Sequence, residues 1–85
     1  MAWTVHIDEA AIKVLRRFPA KDAERLKVAL RDFESNPYCG DVEKLEGEQY
    51  AWRRRVGSYR IFYDVLQNQR TVFVTKIQRR GSHTY

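Results

Sequence analysis

Two strand-forming runs, Trp52-Arg53-Arg54-Arg55-Val56 and Tyr59-Arg60-Ile61-Phe62-Tyr63, are separated by only Gly57-Ser58. Two residues with glycine first suit a type II′ turn, whose twist matches that of the flanking strands. The hairpin therefore fixes a register. If Val56 opposes Tyr59, then Arg55 opposes Arg60, Arg54 opposes Ile61, Arg53 opposes Phe62 and Trp52 opposes Tyr63. Side chains alternate between faces along a strand, and directly opposed residues share a face. One face then collects Tyr50, Trp52, Val56, Tyr59, Ile61, Tyr63 and Val65, and a two-residue turn on Asn68-Gln69 adds Val72 and Val74. That set is apolar and suits a face covered by helices. Arg54 and Lys76 are its misfits, with Lys76 able to snorkel from an edge.

The opposite face collects Arg53, Arg55, Arg60, Phe62, Asp64, Phe73, Thr75, Ile77 and Arg79. Opposed like charges destabilise a sheet by up to about 1 kcal/mol, so Arg55 against Arg60 calls for an anion. The acids Asp41, Glu43, Glu46 and Glu48 of the preceding segment could supply it, but an open anion site is the expectation. A slip of one residue at either turn would exchange the faces of the strand beyond it.

The rest of the chain supplies the cover. Residues 3–7 alternate and read as a first strand. Asp8 can cap a helix in which Ala11, Val14, Leu15 and Phe18 recur at helical spacing, and Pro19 stops it. A second helix starts near Ala20, with Ala23, Leu26, Leu30 and Phe33 as its apolar stripe, and Asn36-Pro37 ends it. Residues 38–48 read as a loop, followed by strands over about 49–56, 59–66 and 71–78. The expected fold is one α+β domain over residues 1–85. Its order is β-α-α-β-β-β, with two N-terminal helices on one face of a small, largely antiparallel sheet.

Charge is divided along the chain. Residues 1–48 hold eight Lys/Arg and ten Asp/Glu, a net of −2, whereas residues 49–85 hold eight Lys/Arg and the lone acid Asp64, a net of +7. A basic half on a small domain points to a polyanion, nucleic acid first. The single Cys39 excludes an internal disulfide and suits a reducing cytoplasm. With two His and no second Cys, no metal site and no cofactor are expected. No run of about 20 apolar residues is present, so no membrane or export segment is expected.

The order of elements, the segment LEGEQYAWRRRVGSYRIFYDV and the ending VTKIQRRGSHTY together resemble the RelE/ParE superfamily of toxin–antitoxin toxins. The likeness runs over essentially the whole chain. Its most specific parts are Leu45-x-Gly47, the run from Trp52 to Tyr63 and the basic tail ending in Tyr85. The resemblance implies a toxin that cuts mRNA in the ribosomal A site, with a small, acidic, partly disordered antitoxin as partner. The ribosome and mRNA are the other implied partners. Other members poison DNA gyrase, and a nucleic-acid-binding module without chemistry is a third reading.

By that resemblance Arg60 matches the third-strand arginine around the scissile phosphate, and Arg79 and Tyr85 match the arginine and tyrosine at the end. Arg53 falls where relatives carry one of two lysines, and Ala51 stands where the other would be. Arg55, Arg80, Lys76 and Phe62 complete the expected RNA- and phosphate-binding set.

Metal-free RNA cleavage uses the 2′-OH as nucleophile, so a protein must hold the phosphate, spread its charge and move two protons. Guanidinium groups bind phosphate oxygens bidentately and stay charged, which suits the charge role and makes them poor bases. The proton acceptor falls to Tyr85 or His83; tyrosine, at about 10, needs lowering by arginines, while histidine starts near 6.5. His6, beside Val5 and Ile7, reads as structural. Arg54, facing the helices, is the arginine expected to tolerate change best.

Overall fold

The computed structural model describes residues 2–46 and 51–79. The first strand, β1 (Thr4–Ile7), runs into α1 (Glu9–Arg17) through Asp8, whose carboxylate accepts the Ala10 amide at 3.1 Å. This satisfies one of the free amides of the first turn, as the sequence predicts. Pro19, with its fixed φ of −55°, opens α2 (Ala20–Ser35). Asn36 ends it in an extended conformation before Pro37, and its side chain accepts the Tyr38 amide at 2.9 Å. Neither helix is long and apolar enough to cross a membrane.

Four further strands follow: β2 (Asp41–Lys44), β3 (Trp52–Val56), β4 (Tyr59–Leu66) and β5 (Thr71–Arg79). They form a five-stranded sheet in the order β1-β5-β4-β3-β2, antiparallel except for β1 beside β5. The expected order holds with one strand more. Residues 41–44, expected as loop, pair with β3; in Asp41-Val42-Glu43-Lys44 only Val42 meets the core. Such a short edge strand has no apolar alternation to reveal it.

The β3–β4 register agrees residue for residue with that set by Gly57-Ser58, and Gly57 has φ +59°. The β4–β5 register agrees only from Leu66↔Thr71 to Tyr63↔Val74. Beyond that, Phe62 pairs with Lys76, Ile61 with Ile77, Arg60 with Gln78 and Tyr59 with Arg79. Thr75 is thus an extra residue in β5, a bulge, and its hydroxyl donates back to the Phe62 carbonyl at 3.2 Å.

The bulge corrects three face assignments. Ile77 joins Ile61 in the core at 3% exposure, Lys76 moves to the open face, and Arg79 leaves it for the side of Tyr59. The physical reason is burial: without the bulge Lys76, not Ile77, would face the helices.

The core lies between the helices and one face of the sheet. Leu15, Leu26, Ala29, Leu30 and Phe33 meet Tyr59, Ile61, Tyr63, Val72, Val74 and Ile77. Phe33 packs on Tyr63 at 4.4 Å between ring centroids, and Phe18 on Tyr59 at 4.6 Å. Both tyrosines keep their hydroxyls bonded: Tyr59 donates to Asp22 at 2.7 Å and Tyr63 to the Pro37 carbonyl at 2.6 Å. Burial raises the pKa of each above the ordinary tyrosine value, and for Tyr59 the Asp22 carboxylate raises it further. Both groups are therefore structural and neutral.

Candidate anion site on the open face of the sheet

The uncovered face is built of rows that cross the strands. The first row is Asp41, Arg55, Arg60 and Gln78; the second is Glu43, Arg53, Phe62 and Lys76. A third takes Asp64, Phe73 and His6 on β4, β5 and β1. The expected clustering of Arg53, Arg55 and Arg60 is therefore present, and Lys76 joins it. The expectation that no acid answers the arginines is corrected by β2. Glu43 forms an ion pair with Arg53, and Asp41 lies opposite Arg55.

These neutralising contacts are unequal. Glu43 is 61% exposed, and an ion pair with so open a partner contributes about 0–1 kcal/mol. An incoming phosphate can replace it at little cost. Arg60 differs, being half-buried one strand further from the acids. Among the described residues it has no carboxylate partner, and its Nε is buried without a hydrogen-bond acceptor. A buried donor left unmade costs about 1–3 kcal/mol, so this position favours a ligand that accepts hydrogen bonds. Lys76 Nζ lies 6.0 Å from the centroid of the Phe62 ring, which holds the ammonium over the same face. Phe62 itself is only 8% exposed, so it carries Lys76 rather than meeting a base directly.

Arg79 does not join this cluster. Its guanidinium carbon sits 5.9 Å from the Tyr59 ring centroid, and its Cα partner is Tyr59, on the helix side of the sheet. Arg80, His83 and Tyr85 lie outside the described residues, as does Gly47 of the Leu45-x-Gly47 pair.

Arg54 is also elsewhere, and the expectation that it tolerates change best is corrected. It reaches under β3 to donate to the Asp32 carboxylate and the Ala29 carbonyl, each at 3.3 Å, and to Cys39 Sγ at 3.8 Å. It also lies 5.7 Å from the Phe33 ring centroid. Gly40, at φ +82°, makes room: a Cβ there would stand 2.8 Å from the guanidinium. The three consecutive arginines thus divide into two on the anion face and one brace between sheet and helix.

The fold and this face can now be set beside known proteins. A family model for the ParE toxin of type II toxin–antitoxin systems matches residues 5–83. The chain belongs to the RelE/ParE toxin family. It is 30% identical over 82 residues to the mRNA interferase toxin RelE of Escherichia coli, spanning 94% of this chain and 85% of that protein. Among solved structures, the archaeal RelE–RelB complex of Pyrococcus horikoshii matches with a TM-score of 0.83 at 28% identity. That match covers 98% of this chain and all of the other. The isolated E. coli RelE toxin matches with a TM-score of 0.77 at 26% identity, over 93% of this chain and 85% of that one. For this RelE/ParE toxin, what sequence reasoning missed is the meeting of His6 with Phe73 on the open face; the acids of β2 were named as possible partners of the arginines, and Glu43 is one. Alternation alone placed Phe73 on that face, but the parallel β1–β5 pairing that brings His6 to it carries no local signal.

Proposed function

We propose that this chain is the toxin of a type II toxin–antitoxin pair and a ribosome-dependent endoribonuclease that cleaves translated mRNA. The observation that carries this reading is Arg60. It is a half-buried guanidinium with an unpartnered Nε, directly opposite Arg55 and one row from Lys76, in a chain 30% identical to an mRNA interferase toxin. In this reading the message phosphate sits over Arg60. Bidentate contact from its guanidinium stabilises the charge that grows on the phosphate as the 2′-OH attacks. Lys76 and Arg53 supply further positive charge, with Glu43 yielding its place to the RNA. Charge stabilisation by fixed cations is the role a metal would otherwise fill, so the reaction is assigned as metal-independent.

The bonds balance simply. The 2′ oxygen forms a bond to phosphorus, the bond from phosphorus to the 5′ oxygen breaks, one proton leaves the 2′-OH and one reaches the departing oxygen. Tyr85 and His83 are assigned the proton transfers. The terminal arginine contact is assigned to Arg80, because Arg79 is committed to Tyr59. Ala51 leaves the second lysine position empty of charge, so the arginines carry that load. The ribosome and its message are the working partners. A small, acidic antitoxin is the controlling one, in keeping with the likeness to RelE–RelB complexes. The place of action is the cytoplasm.

Mapping transcript 5′ ends after induction tests this. New ends within translated codons are expected for the wild type, and none for Arg60→Ala. The matching family model bears the ParE name, which makes gyrase inhibition the second reading. Growth arrest with impaired supercoiling and no new 5′ ends would establish it instead.

A further inference from the structure

The open face carries an aromatic pair that the phosphate site does not use. His6 and Phe73 are partners across β1 and β5, and their rings stack at 5.2 Å with an interplanar angle of 15°. Phe73 is 39% exposed, and His6 is also exposed. Every other aromatic residue of β4 and β5 is buried. A sheet that buries the tyrosines of β4 and displays the phenylalanine of β5 flat against an imidazole presents a π surface to solvent.

The surroundings of this pair differ in sign from the phosphate site. Arg55, Arg60, Arg53 and Lys76 occupy the first two rows, whereas the third has Asp64 beside Phe73. Asp8 and Glu9 line the shallow cleft in front of His6, Phe73 and Thr75. The open face is thus basic at one end and aromatic with carboxylates at the other. Along β4 the first and third rows lie four residues apart, roughly 13 Å at about 3.3 Å per residue, with the row of Lys76 halfway between. Carboxylates repel a phosphate but accept hydrogen bonds from exocyclic amino groups of bases. The polarity therefore matches a short single strand, with a phosphate at Arg60 and Lys76 and a base further along, toward Phe73. Aromatic rings beside a positively charged track are how single-stranded nucleic acid is held irrespective of sequence.

We infer that the His6–Phe73 stack is a base-binding subsite for a nucleotide of single-stranded RNA flanking the phosphate held at Arg60. This rests on the endonuclease reading for the identity of the RNA. The ring faces supply stacking, and neither residue takes part in proton transfer.

The test uses the full chain and a tetranucleotide RNA that carries one 2-aminopurine and 2′-O-methyl riboses, so that it binds without being cut. Binding is followed by anisotropy and stacking by quenching of the 2-aminopurine. Wild type is expected to quench. Phe73→Ala and His6→Ala should weaken affinity roughly 5- to 100-fold, the range that base–aromatic stacking supplies, with quenching lost. Phe73→Trp should restore both. Both rings are exposed, so circular dichroism should show the variants folded; Phe73→Tyr serves as the conservative check.

Binding without quenching by the wild type, equal quenching by Phe73→Ala, or no binding at all would each overturn the inference. So would a Phe73→Ala variant that loses affinity only for an antitoxin, which would make the stack a protein contact. Transcript mapping on the wild type keeps the two readings apart. Cleavage with unaltered quenching in Phe73→Ala sinks the subsite alone, and quenching without cleavage sinks the nuclease alone.

Discussion

Arg54 and Arg60 sit one step apart across the same hairpin, yet their surroundings have nothing in common. Arg54 is held from the helix side by Asp32, the Ala29 carbonyl, Cys39 and Phe33, with a side chain only 13% exposed. Arg60, on the other face, is half-buried with an Nε that meets no acceptor among the described residues. Each keeps a buried Nε without an acceptor, but the terminal nitrogens of Arg54 are bound to Asp32 and the Ala29 carbonyl and brace the fold, whereas Arg60 has no carboxylate partner among the described residues. Residue type does not separate them. The face of the sheet does.

The comparison is broken most directly at Arg60. Replacing it with alanine is expected to lower mRNA cleavage by about 10²–10³-fold, the loss typical when one preorganised charge-stabilising donor is removed. Thermal stability should hold or rise, by up to the roughly 1–3 kcal/mol that the unmet buried Nε costs. Cleavage rates in a purified translation system, paired with melting curves, measure both. Unchanged cleavage would place the anion site elsewhere.

Arg54→Ala should show the converse. It strands the Asp32 carboxylate, which is 47% exposed, and empties the space over Phe33. The expected loss is about 2 kcal/mol, below the 3–5 kcal/mol of a fully buried pair because Asp32 keeps contact with water. Urea denaturation would read it, while cleavage per folded molecule stays normal. An Arg54→Ala protein as stable as the wild type would remove the brace from the account.

A smaller effect is expected at Tyr63. Phenylalanine there deletes the bond to the Pro37 carbonyl and should cost about 1–2 kcal/mol. Its raised pKa also fixes a pH dependence. The folded state prefers the neutral phenol. This contribution is therefore fully present below the unfolded tyrosine pKa of about 10 and is lost as pH rises from there toward the folded value. Denaturation midpoints measured from pH 8 to 11 should fall more steeply for the wild type than for Tyr63→Phe; equal slopes would refute the assignment.

The smallest change is expected from Glu43→Gln, which releases Arg53 on the open face. Stability should move by less than about 1 kcal/mol, while RNA affinity rises up to roughly fivefold, the worth of an exposed ion pair. Filter binding at several salt concentrations would show this. A fall in affinity would mean that Glu43 positions Arg53 instead of competing with the phosphate.

Much of this architecture is legible in the residues. The apolar stripe of α2, the stops at Pro19 and Pro37 and the Gly57-Ser58 turn are local signals, and each appears where alternation and capping put it. What escaped is long-range. A bulge follows from the competition between Lys76 and Ile77 for the core, which no short window contains. The four residues of β2, three of them charged, become a strand only because β3 offers an unpaired edge. Arg54 was misjudged for the same reason: its partners Asp32, Ala29 and Cys39 come from α2 and the turn after it, 15 to 25 positions away. Of the candidate site, the hairpin arginines could be placed from the sequence. Lys76, Arg79 and the His6–Phe73 pair needed the sheet.

The extra residue at Thr75 also bears on how such chains are compared with one another. Past that point, a column in a gapless alignment to a relative lacking the bulge would set an inward side chain against an outward one. Substitution patterns at Lys76 through Arg79 then become meaningful only after the gap is placed by structure, and a one-codon deletion there would invert the chemistry of the strand's end while leaving its composition nearly untouched.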